Sequence, residues 1–170
     1  MADKYLKQVS GVLTETEAKQ ASTGAADAGK IPALDSTGKL DNSLMPVGIA
    51  AETDVIAASE SLAAGDFVNL WSSSGIKARK ADASVSGKEA HGFVLAAVTS
   101  GGSATVYRLS QGNTQLTGMT PGAKQFLSAT TPGARTETAP SASGQVIQVL
   151  GVAKSATELI FHPSYPVVLA

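Results

Sequence analysis

The chain has 170 residues, with 13 Lys and Arg against 14 Asp and Glu, 43% hydrophobic residues, 5% aromatic residues and no cysteine. A net charge of -1 gives no electrostatic footprint for nucleic acid or an anionic membrane, whose binders concentrate Lys and Arg, so neither partner is expected. Lack of cysteine removes disulfides, thiolate catalysis and cysteine-ligated metal sites together. The low share of charged residues, 16% against about 25% in ordinary soluble domains, suits a protein that hides surface against partners.

Met1-Ala2-Asp3-Lys4 opens a polar segment without the apolar stretch of a signal peptide, and no apolar run approaches the ~20 residues of a membrane helix. The expectation is a protein made in a cytoplasm and held there until it is assembled. Residues 1–50 offer little to build a core. Thr14 with Glu17 three positions on fits a capping box, which predicts one short helix stopped by Ser22-Thr23-Gly24. A weak echo follows, Gly29-Lys30-Ile31-Pro32-Ala33-Leu34-Asp35 and then Gly38-Lys39-Leu40-Asp41-Asn42-Ser43-Leu44-Met45-Pro46. Its prolines block helix and remove ladder donors, so it reads as an extended arm punctuated by turns. Ile31, Leu34, Leu40, Leu44 and Met45 are too spaced to bury one another, and lying in a partner's groove is their expected role.

From about residue 51 the punctuation becomes that of an all-β domain. Asp66–Trp71 and Ile76–Lys80 flank Ser72-Ser73-Ser74-Gly75 as a hairpin. Gly92–Val98 is apolar on both faces, as a central strand should be, and Thr99-Ser100-Gly101-Gly102 turns it into Ala104–Leu109. Lys124–Ser128 and Ala134–Thr138 flank Pro132-Gly133, the pair that a type II turn takes at its centre. Gln145–Val152 and Glu158–His162 are the last predicted strands. Short strands at this spacing argue for a compact β-sandwich or β-barrel over 51–170, preceded by an extended N-terminal arm over 1–50 with at most one short helix.

No catalytic constellation emerges. His91 and His162 are each alone in their segments, and both are expected to be strand-end histidines bonded to backbone. No serine sits between the glycines of a nucleophile elbow, and no Gly-Lys pair is followed by Ser or Thr as a phosphate-binding loop requires. Asp35–Asp41 lacks the alternating ligands and the bidentate Glu of a calcium loop and reads as a turn. The expectation is no enzyme, no cofactor and no metal. Lys77-Ala78-Arg79-Lys80 is the only concentrated charge, expected on a solvated edge strand.

Two stretches resemble small structural proteins of tailed bacteriophages, the head decoration (cement) and head-fibre proteins. The arm GKIPALDSTGKLDNSLMP, Gly29 to Pro46, is similar to connectors that precede oligomeric β domains in phage appendages. The second runs from Leu62-Ala63-Ala64-Gly65-Asp66-Phe67-Val68 through Ala81-Asp82-Ala83, Ala90-His91-Gly92-Phe93-Val94 and Leu116-Thr117-Gly118-Met119-Thr120-Pro121-Gly122 to Gln148-Val149-Leu150-Gly151-Val152-Ala153. Together they cover most of the chain, on turn glycines and small residues that many β appendages share.

The resemblance implies a virion protein on the capsid surface, made in the host bacterial cytoplasm, without catalysis. Its implied partners are the major capsid protein and itself, as a homotrimer set at capsid subunit junctions. In that picture the arm adheres to the shell, and Phe93, Val98, Ile147 and Val149 are the candidates for trimer contacts. The alternative is a tail-fibre or tail-associated adhesin component that binds a host receptor or glycan through aromatic residues such as Trp71 and Tyr107.

Overall fold

The computed structural model describes residues 3–45 and 52–170, which fall into two compact units, Met1–Ala50 and Ala51–Ala170. Pro46, the end of the echo, and the junction near residue 50 lie outside the described residues.

In the first unit, β1 (Lys4–Val9) and β2 (Val12–Glu17) form an antiparallel hairpin with Lys4 opposite Glu17 and Val9 opposite Val12. The short helix expected between Thr14 and Ser22 does not form. Ser10 and Gly11 have φ of 50° and 83°, the positive pair that a two-residue hairpin turn demands. Val12, Thr14 and Thr16 alternate with Leu13, Glu15 and Glu17, and β-branched residues at every second position favour a strand. A capping box contributes only about 1 kcal/mol, and the six-pair ladder outweighs it. The only helical turns described in this unit are single 3-10 turns at Ala25–Asp27 and Asn42–Leu44.

The second unit is all-β. Its first strands are β3 (Thr53–Ala58), β4 (Phe67–Ser72), β5 (Ile76–Lys80), β6 (Gly92–Val94) and β7 (Ser103–Tyr107), and they close into a barrel in the order β3-β5-β4-β6-β7. Only β3 and β5 run parallel. Next come β8 (Gly112–Asn113), β9 (Lys124–Leu127), β10 (Arg135–Thr136), β11 (Val146–Ile147), β12 (Val149–Ala153), β13 (Leu159–Phe161) and β14 (Val167–Val168). The antiparallel sheet β10-β9-β12-β13-β8 and the pair β11-β14 complete the unit.

Both predicted hairpins of the barrel are present, with Leu70 opposite Ala78 and Val94 opposite Val106. The Pro132-Gly133 turn is present too: Ala134 N–H donates to the Thr131 carbonyl at 3.1 Å, and Gly133 has φ of 82°, as the third position of a type II turn requires. Other expectations need correction. The strand expected over Gly92–Val98 ends at Val94. The strand expected over Gln145–Val152 breaks at Gln148, whose buried amide bonds both backbone groups of Ala90. Lys77–Lys80 is no edge strand, because the barrel is closed and β5 has a neighbour on each side. The strands β3, β8 and β14 form where the sequence pattern predicts none.

Two cores explain why Gly92-Phe93-Val94 is apolar on both faces. Adjacent strand residues point to opposite faces. Val68 and Val94 therefore join Ala58, Leu62, Ala78, Ala104 and Val106 in one cluster, while their neighbours Phe67 and Phe93 join Leu127, Val146, Leu150, Leu159 and Phe161 in the other. Three phenylalanines anchor the second cluster, with Phe93 and Phe161 at 5.7 Å and Phe67 and Phe161 at 5.8 Å between ring centroids. Each fully buried ring contributes about 1.5–3 kcal/mol of transfer free energy.

Candidate functional site

The first unit orders its loops without a core: none of its described residues is buried. Three aspartates replace the core with local hydrogen bonds. Asp27 accepts from the Thr23 backbone N–H at 2.7 Å and its hydroxyl at 2.8 Å, and pairs with Lys30 at 2.9 Å. Asp35 accepts from the backbone N–H groups of Thr37 at 2.8 Å and Lys39 at 3.0 Å, so it is a turn residue. Asp41 caps the 3-10 turn at Asn42–Leu44 by accepting from Ser43 N–H at 2.9 Å. These bonds, backbone donation first at Asp27 and Asp35 and the Ser43 hydroxyl first at Asp41, hold all three carboxyls below the ordinary value of 3.8. The echo thus has a physical content: Asp27 and Asp35 each precede a Gly-Lys turn that their own carboxylates brace.

On this scaffold Ile31, Leu34, Leu40 and Met45 are exposed and Leu44 is half-buried. Sequence reasoning missed four more such residues. Leu6 and Leu13 are each 69% exposed, and Val9 and Val12 are also exposed. By alternation Leu6 and Leu13 share one face of the hairpin, and Val9 and Val12 the other.

In the second unit the four residues expected at trimer contacts are scattered. Phe93 is fully buried in its own chain's core, stacked on Tyr107, and is not available to a second copy. Val98 is half-buried against the barrel core and bridged to Leu62. Ile147 pairs with Val167, and Val149 with Phe126. The aromatic residues of the alternative are engaged as well. Arg79 sits 4.7 Å from the Trp71 ring centroid, and the Trp71 indole N–H donates to Ser59 Oγ at 3.1 Å.

The two histidines, distant in sequence, line one open groove of about 610 Å³ with Arg108, Leu109, Pro163, Ser164, Tyr165 and Pro166. His91 Nδ1 accepts from Leu70 N–H at 3.0 Å, the backbone bond expected of it. Partial burial, the main cause, and the nearby Arg108 hold its ring below the ordinary 6.5, with Glu89 acting the other way. The ring is neutral near pH 7, with its proton on Nε2. His162 differs from expectation: its Nε2 meets the Ser110 hydroxyl at 3.1 Å rather than a backbone group. Arg108 donates Nε–H and Nη2–H to Asp54 Oδ2 at 2.7 and 2.5 Å. Comparison with protein-family models, with curated proteins and with solved structures finds no match.

Proposed function

We propose that the chain is a non-enzymatic structural protein of a bacteriophage virion, which decorates and stabilises the capsid as a homotrimer bound at subunit junctions. The observation that carries the reading is the first unit's construction. It fixes Leu6, Leu13, Ile31, Leu34 and Leu40 in place with hairpin and aspartate bonds, yet buries none of them. Holding apolar side chains ordered and exposed is unfavourable for an isolated chain, and burial against a partner reverses the sign at about 25 cal/mol per Å². Three such units on one trimer act with high effective concentration, so each needs only a modest affinity. The resemblance of Gly29–Pro46 to connectors in phage appendages, and of the β module to compact phage β modules, supports a capsid surface as that partner.

Immunogold microscopy of virions, with antibody raised against residues 51–170, tests the placement. Label over the head is the expected result. Label confined to the tail tip overturns it in favour of the tail-fibre reading. Co-sedimentation of the full chain with expanded shells tests the adhesive unit: L6S/L13S/I31S/L34S should stay folded and lose shell binding.

A further inference from the structure

We propose that the groove between His91 and Tyr165 is a binding site for a neutral sugar ring of a surface glycan. Binding there is independent of where in a virion the protein sits, because all its residues lie within the second unit.

Size comes first. A groove of about 610 Å³ lies in the range of roughly 300–1,000 Å³ typical of small-ligand sites. One side of it is formed by Leu109, Pro163, Tyr165 and Pro166. Tyr165 is 96% exposed and stands between Pro163 and Pro166, whose fixed φ restrains the chain on either side of it. Its position is further set by Ser164, whose hydroxyl accepts from Val149 N–H at 3.0 Å and donates to the Tyr165 carbonyl at 3.1 Å. Among the described residues, the side chain of this tyrosine has no hydrogen-bond or ring partner to account for it. It offers a flat apolar face and a polar tip, which match the C–H face and hydroxyl edge of a pyranose.

The polar wall decides between a neutral and an acidic ligand. Its one cation, Arg108, is already neutralised by Asp54 through two bonds to a single carboxylate oxygen, so little net charge remains to attract an anion. Among the described residues, Arg108 Nη1 and His91 Nε2 are left as N–H donors once these bonds and the Leu70 bond to Nδ1 are made. Gln148, at the base, is closed on the Ala90 backbone at 2.8 and 3.0 Å and serves as wall rather than donor. N–H donors whose one cation is already paired, in a groove that also carries an exposed tyrosine, suit hydroxyl and ring oxygens better than a carboxylate or a phosphate.

The test is an NMR titration of the full chain with methyl glucoside, methyl galactoside and N-acetylglucosamine, with N-acetylneuraminic acid and inorganic phosphate as charged probes. At least one neutral sugar should shift the amide signals of Leu70, His91, Arg108 and Tyr165 at millimolar concentration. Tyr165→Ala should weaken that binding about tenfold or more and leave the Trp71 emission unchanged. No shift with any neutral sugar at about 50 mM overturns the proposal. Binding only of the acidic sugar or of phosphate overturns it as well, as does binding that Tyr165→Ala leaves intact.

Discussion

Phe93 and Tyr107 face each other across β6 and β7 as Cα partners, and their rings stack with centroids 5.6 Å apart and planes 18° apart. Phe93 touches Phe67 and Phe161 as well, so one side chain ties the barrel to the open sheet. Phe93→Ala should cost about 3–5 kcal/mol of stability, read from urea unfolding followed by Trp71 fluorescence. A variant of native stability that forms smaller oligomers would return Phe93 to an interface and contradict its burial.

Trp71 is the only tryptophan of the chain, and Arg79 lies over its ring while bonding Asn69 Oδ1 at 3.0 Å and the Gly87 carbonyl at 2.8 Å. Arg79→Ala should therefore shift Trp71 emission to longer wavelength and lower stability by about 1–2 kcal/mol, the cation–π contact and the lost bond to buried Asn69 acting together. Unchanged emission would mean that the guanidinium does not cover the ring.

Gly133 is confined twice. Its φ is 82°, and a Cβ there would sit 2.8 Å from Asp66 Cγ; Asp66 is itself held by Ala63 N–H at 2.8 Å and by Lys80 at 3.2 Å. Gly133→Ala should destabilise by more than about 1 kcal/mol. Gly144→Ala, with a similar φ of 80° but open space around it, should cost less. Thermal unfolding of the two variants side by side distinguishes the steric cost from the conformational one.

Asp27, Asp35 and Asp41 of the first unit have carboxyls held below 3.8. A folded-state value below the unfolded one contributes stability that is fully present above the unfolded value and lost as pH falls through the folded one. The first unit should thus be unchanged from neutral pH down to about pH 5, and should loosen only below about pH 4. Amide exchange at Thr23, Thr37, Lys39 and Ser43 reads this directly, and acceleration already at about pH 6 would contradict it.

Local chemistry is what the sequence made legible. Pro132-Gly133 names its own turn, and Ser72–Gly75 between two alternating runs names its own hairpin, because the determinants lie within a few residues. Thr14 and Glu17 show the converse: a local helix signal lost to a turn at Ser10-Gly11 and a strand partner ten or so residues away, which no capping rule weighs. The groove was invisible for a stronger reason. His91, Arg108 and His162–Pro166 come from three segments, and only the barrel and sheet bring them side by side. Phe93 reads as an interface residue in the sequence because an apolar residue facing a second internal core has the same pattern as one facing a second subunit.

Closure of the barrel sets an order on synthesis. The seam is made by β3, which needs β5 on one side and β7 on the other, and Thr53 waits for Tyr107. While the ribosome adds the roughly fifty residues between them, the edge of β3 that pairs with β7 stays unsatisfied, and closing it is a long-range event of the kind that slows folding. A nascent chain halted before Tyr107 is an open ribbon with a bare edge, the form most apt to pair with its neighbours on a crowded polysome.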